Sequence, residues 1–134
     1  SSGLSLMRSH RAMTDCRPVS LISLETIRQL GDEVSALLDK RQFRANIYAQ
    51  LGTANGFAED ALVGRRLQIG SRVVIAVLEQ DARCKMITIN PDTGEDTPAI
   101  VRNVARAHGG NAGVYCAVLT EGIVHPGAPI ALLD

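Results

Sequence analysis

Short apolar segments punctuated by glycines constrain the fold of this chain more than any other feature. VSLIS (19–23), RLQI (66–69), the run from Arg72 to Glu79, MITI (86–89), GVYCAVL (113–119) and APIALL (128–133) are each a few residues long and mostly β-branched or aliphatic. FRANIYAQL (43–51) alternates, with Phe43, Ala45, Ile47 and Ala49 predicted on one side of a strand. GTANG (52–56), Gly64, Gly70, NPDTG (90–94) and HPG (125–127) fall between these runs as turns. Serial short strands of this kind predict a mainly β domain with two or three peripheral helices, closed or partly closed into a barrel.

The helices have their own signals. Ser23 is placed to cap a helix from Leu24 to Leu30, with Gly31 positioned to stop it and Asp32 to Leu38 adding a turn or two. The segment from Ala58 to Val63 suits one short helix. Thr97-Pro98 has the cap-then-proline order of a helix start, and Ile100, Val101, Val104 and Ala107 recur at helical spacing before Gly109-Gly110. Residues 1–17 are polar and unpatterned and read as a flexible tail, leaving 18–134 as the domain. The chain opens on Ser1 rather than Met, which fits either added residues or excision from a longer protein.

Composition excludes several functions. The 134 residues carry 14 Lys+Arg against 14 Asp+Glu, which argues against a bulk electrostatic grip on nucleic acid or an anionic membrane. With no Trp, two Phe and two Tyr, an aromatic platform for stacking bases is also a poor fit. No run approaches the roughly 20 apolar residues that span a bilayer, and the first 15 residues lack the apolar core of a secretion signal. Cys16, Cys84 and Cys116 are an odd number at wide spacing, neither a disulfide framework nor a zinc ribbon, so a reducing cytoplasm is expected.

Three places hold residues with chemistry. Cys84 lies between Arg83 and Lys85, and cations beside a thiol favour the thiolate, the form that attacks or binds a soft metal. Strand alternation would turn both cations away from it, and a buried structural cysteine is the competing reading. Asp92 and Thr93 in NPDTG offer oxygens and turn amides for a phosphate or polar cofactor, or simply make a good turn. Arg41 precedes the FRANI strand; within it Arg44 and Asn46 share the face opposite the apolar set, either a fork of donors for an anion or a solvated strand face. His10, His108 and His125 are scattered, so a zinc hydrolase is not indicated, and Cys116 reads as core.

The order FRANI, GFAEDALVGRRLQIG, DARCKMITINPDTG and GVYCAVLTEGIVHPG resembles the MOSC domain, the C-terminal domain of molybdenum cofactor sulfurases. It is most similar to the branch of the mitochondrial amidoxime-reducing component and its bacterial relatives. The corresponding patterns are F-R-P-N-I, E-D-x-W/L-x-G-x-x-L-x-I-G, an R-C block before D/N-P-x-T-G, and a C-terminal G-x-Y…G-x-I-x-x-G-D-x-V. The match runs from about Val19 to the end.

That resemblance implies a MOSC-type mixed barrel binding a molybdenum–pterin cofactor, with Cys84 as thiolate ligand of the metal and catalytic residue. It implies Arg44, Asn46, Arg83, Thr88, Asp92 and Thr93 as walls around the pterin, with Ser23 and Thr26 as further contacts. The implied activity is reduction of N-hydroxylated substrates, the metal and pterin carrying the redox chemistry. Electrons would come from a ferredoxin-like or flavin partner, since no iron–sulfur cysteine cluster is present. The alternatives are a sulfur carrier, with a persulfide on Cys84 delivered by a pyridoxal-phosphate desulfurase, and a non-catalytic interaction domain. Ala45 stands where the pattern has proline, and Ala128 where it has the Asp of Gly-Asp. The β-barrel domain that precedes this one in the reductase branch has no counterpart in these residues. The isolated chain is therefore expected to hold the cofactor weakly or not at all and to need that domain as a partner.

Overall fold

A computed structural model describes residues 2–6, 11–13, 19–83 and 98–133. The elements run β1 (Ser2–Leu6), β2 (Arg11–Met13), β3 (Val19–Ser23), α1 (Leu24–Glu33), β4 (Ile47–Ala49), β5 (Arg66–Ile69), β6 (Val73–Ala82), α2 (Ala99–Ala107), β7 (Asn111–Thr120), β8 (Gly122–Val124) and β9 (Pro129–Leu132). Two 3-10 turns, Lys40–Phe43 and Ala58–Leu62, precede β4 and β5.

The strands form a closed barrel in the order β1-β4-β3-β7-β6-β5-β9, with β1 also pairing β9; β2 and β8 make a separate two-stranded sheet. All barrel pairs are antiparallel except β3 with β4. A parallel neighbour cannot be reached by a tight hairpin, and α1 supplies the crossover. The long β6–β7 pairing shifts register between Val74 and Ile75, between Val77 and Glu79, and between Gln80 and Ala82. Such irregularities bend a strand and let a sheet close on itself.

Alternation along each strand divides the apolar residues into two cores. Leu21, Ile47, Ile69, Ile75, Val77, Val114 and Cys116 are among those filling the barrel. Ile22 and Tyr48, pointing the other way, pack with Ile27, Leu30, Phe43, Ile100 and Val104 beneath α1 and α2. All five residues of β3 are therefore buried, as expected of a strand covered on both faces.

The mainly β barrel with peripheral helices matches the sequence reading, with local differences. The expected tail contains β1, which pairs with β4 and β9, and β2, which pairs with β8. β8 itself falls in a segment read as a connection. These strands are three to five residues long, and pairing with distant partners decides them. Ser23 does cap α1, its Oγ accepting from the Thr26 amide at 3.0 Å. Gly31 does not end the helix, which runs to Glu33; a Cβ there would lie 2.6 Å from the Ala36 carbonyl oxygen, so Gly31 admits the returning chain. MITI and NPDTG lie outside the described residues. Among the described residues, no helix is long and apolar enough to cross a membrane.

Candidate functional site

The FRANI segment is not one continuous strand. Asp39 caps the turn Lys40–Phe43, its carboxylate accepting from the Arg41 amide at 2.9 Å while its own amide donates to Gln42 Oε1 at 3.0 Å. Arg41 returns to the same carboxylate through Nε at 3.1 Å and Nη2 at 2.6 Å, which holds Asp39 below the usual carboxylate range. Arg44 then takes a left-handed conformation, φ 52° and ψ 36°. That is an uncommon state for a residue with a Cβ and leaves the Arg44 side chain exposed.

The reversal at Arg44 breaks the predicted alternation. Ile47 and Ala49 enter the barrel, but Phe43 and Ala45 belong to the core under the helices. Arg44 and Asn46 consequently do not share a strand face. Asn46 is turned to β3, where its Oδ1 accepts from the Ser20 amide at 2.9 Å and the Ser20 hydroxyl at 3.2 Å.

Arg83, just beyond β6, reaches the same turn from the opposite side of the sequence. Its Nη1 donates to the Phe43 carbonyl at 2.6 Å and its Nε to the Ala112 carbonyl at 2.8 Å, with the guanidinium 5.5 Å above the Phe43 ring centroid. Nη2 lies 3.2 Å from Asp81 Oδ2, both side chains more than nine-tenths buried. Burial pushes the Asp81 carboxyl up, opposed by the Arg83 charge and by a hydrogen bond from the Tyr115 hydroxyl. Space for the guanidinium comes from Gly113, at φ +84°, where a Cβ would lie 3.2 Å from Arg83 Nη2 and 2.8 Å from the Leu21 carbonyl oxygen.

Ser23 and Thr26 sit elsewhere, fully buried around Glu59, which is also without exposed surface. Glu59 Oε2 accepts from the Ser23 amide at 2.8 Å, and its carboxylate contacts the Ser23 hydroxyl at 2.8 Å and the Thr26 hydroxyl at 2.8 and 2.9 Å. Thr26 Oγ1 also accepts from the Phe57 amide at 2.7 Å. These hydroxyls are engaged in joining β3, α1 and the Ala58–Leu62 turn.

Cys84, Lys85, Thr88, Asp92, Thr93 and Cys16 lie outside the described residues. Cys116 is wholly buried in the barrel, and burial pushes its thiol up to about 12, so it carries almost no thiolate near neutral pH. Among the described residues no group of three His, Cys, Asp or Glu side chains is arranged to hold a metal ion.

The family model of the MOSC domain matches residues 8–131. The chain belongs to the MOSC domain family. That family is linked to the molybdenum cofactor. Solved structures share the MOSC fold at low identity. YiiM from Geobacillus stearothermophilus superposes with a TM-score of 0.67 at 17% identity, over 93% of this chain and 60% of that one. The YUAD protein from Bacillus subtilis gives 0.65 at 19% identity, over 84% and 61%. YiiM from Escherichia coli gives 0.64 at 15% identity, over 99% and 69%. This MOSC domain thus spans about 60% of the length of the first two. No curated protein matches the chain.

The sequence reading left Glu59, Asp81 and Tyr115 unassigned. Glu59 stands in the E-D segment of the MOSC pattern, an acidic residue in an apolar stretch, which was a usable signal. Asp81 is two residues before Arg83, the spacing that puts both on one side of a strand. Tyr115 had no local signal, because its link to Asp81 arises from cross-strand pairing.

Proposed function

We propose that this MOSC domain binds a molybdenum–pterin cofactor where the Arg44 turn meets the start of the segment after β6. The observation that carries the reading is the 2.6 Å bond from Arg83 to the Phe43 carbonyl. It ties the residue immediately before Cys84 to the residue immediately before Arg44, and consecutive Cα atoms are only about 3.8 Å apart. On this reading Arg44, exposed beside the Phe43 carbonyl that Arg83 holds, and Cys84, next in sequence to Arg83, serve one site. The donor set suits the cofactor in kind. Arg44 offers a planar fork for an anionic oxygen, and Cys84, which the MOSC resemblance assigns as the metal ligand, would offer a soft thiolate, while Cys116 is committed to the core. Thr88, Asp92 and Thr93 complete the proposed pocket. Ser23, Thr26 and Asn46 contribute by holding β3, α1 and β4 in place.

The bound cofactor would supply two-electron redox chemistry at molybdenum, with reduction of N-hydroxylated compounds as the finer reading. On that reading the working assembly includes an upstream β-barrel domain and a ferredoxin-like or flavin electron donor. The test is elemental analysis of protein expressed in a host that makes the cofactor. Co-expressed with the upstream β-barrel domain, the parent chain and Cys116→Ala should retain molybdenum, Cys84→Ser should lose it, and Arg44→Ala should hold about tenfold less, the loss of one charged hydrogen bond. Full retention by Cys84→Ser would overturn the ligand assignment; a persulfide on Cys84 without molybdenum would replace cofactor binding with sulfur transfer.

A further inference from the structure

Arg83 is the side chain that the resemblance to MOSC domains assigns to the cofactor wall, yet its described contacts are with protein. Nη1 holds the Phe43 carbonyl, Nε holds the Ala112 carbonyl, the guanidinium lies over the Phe43 ring, and Nη2 faces Asp81. Its own amide donates to the Gly110 carbonyl at 2.9 Å. One buried guanidinium therefore joins the end of β6, the start of β7 and the turn before β4. The Phe43 carbonyl belongs to the peptide that leads into Arg44, the residue in the left-handed state. That state costs free energy for a residue with a Cβ and persists only when its surroundings fix it. Three described bonds flank it: the Arg44 amide donates to the Arg41 carbonyl at 3.2 Å, the Ala45 amide donates to the Tyr48 hydroxyl at 3.2 Å, and Arg83 fixes the preceding carbonyl.

We infer that Arg83 is a positioning residue that locks the Arg44 turn in its strained form, and that Asp81 and Tyr115 orient Arg83 for this task. Asp81 meets Nη2 in an ion pair, and the Tyr115 hydroxyl bonds Asp81 from the neighbouring strand. A lysine at position 83 would keep the charge but not the planar fork that reaches two carbonyls at once. Removing Gly113 would close the space through which the guanidinium passes. The inference rests on Arg44 being an anion ligand only for its functional consequence; the locking itself is a property of the turn.

The experiment uses the full chain and two readouts, amide hydrogen exchange at Arg44 and Ala45, and binding of inorganic pyrophosphate followed by NMR. Arg83→Lys should speed exchange at Arg44 about tenfold or more while exchange in β3 and α1 is unchanged. It should also weaken pyrophosphate binding about tenfold, the equivalent of one charged contact, and should add little to Arg44→Ala in the double variant. Unchanged exchange at Arg44, or losses that simply add in the double variant, would overturn the inference in favour of direct contact between Arg83 and the anion. If Arg83→Lys does not fold, Tyr115→Phe and Asp81→Asn take its place: faster exchange confined to the Arg44 turn supports the inference, and none overturns it. Faster exchange in a chain whose parent form does not bind pyrophosphate would support the locking and count instead against Arg44 as an anion ligand.

Discussion

Two polar clusters flank the core beneath the helices, and they use similar residues for opposite ends. Around Glu59, every named group faces inward: the carboxylate, the Ser23 and Thr26 hydroxyls and the Ser23 amide satisfy one another with no exposed surface. Around Arg83, the buried guanidinium and Asp81 support a turn whose Arg44 is exposed. The first cluster closes three elements together; the second spends buried hydrogen bonds to keep one cation on display in a strained backbone. A polar group serves structure when its partners lie inside, and is available to a ligand when its own turn is what is held.

The contrast is broken most forcefully at Glu59. Glu59→Ala should leave the Ser23 amide and two hydroxyls without their acceptor and open a cavity, costing about 3–5 kcal/mol. Against a total of about 5–15 kcal/mol for a domain, denaturant titration should show a large fall in midpoint. A change of less than about 1 kcal/mol would mean that the cluster is not a structural joint.

Gly113→Ala attacks the second cluster through the backbone. The positive φ and the approach to the Leu21 carbonyl predict a loss of about 2 kcal/mol. Exchange at Arg44 should rise along with it, because Arg83 is displaced.

Arg44→Gly separates display from stability. Glycine takes the left-handed state freely, so the variant should be neutral or more stable by up to about 1 kcal/mol, while molybdenum retention falls. A clear destabilisation in thermal melts would show that Arg44 is structural and that the two clusters do not differ in kind.

The smallest effect concerns Glu33, which links α1 to α2. Its carboxylate accepts from His108 Nε2 at 2.8 Å, Asn103 at 2.6 Å and Gln29 at 2.9 Å. Partial burial raises this carboxyl, but the hydrogen bonds outweigh it and hold Glu33 below its ordinary value. Its contribution is therefore present above the ordinary carboxylate range and is lost as the pH falls through the folded-state value. Glu33→Gln should lower stability slightly at pH 7, by under about 1 kcal/mol for such an exposed pair, read from thermal melts. The gap from the parent protein should close on acidification; a gap independent of pH would remove the charge from the explanation.

The sequence by itself determined the larger strands, both helices, the Ser23 cap and the placement of Cys116 in the core, because periodicity and capping are local and each residue's neighbours in sequence carry the signal. Local pattern also indicated the glycine-punctuated barrel, and the motif order indicated the family. It misread the FRANI segment, whose alternation is genuine in composition but is interrupted by the Asp39-capped turn and the left-handed Arg44. It left β1, β2 and β8 unread, since strands so short take their stability from partners far along the chain. The tertiary structure alone decided which polar side chains are consumed and which is displayed. Phe43 and Arg83 are 40 residues apart, and Ser23 and Glu59 are 36. A hydrogen bond over such a separation is formed only after the barrel brings its ends together, so no local pattern of residues announces it.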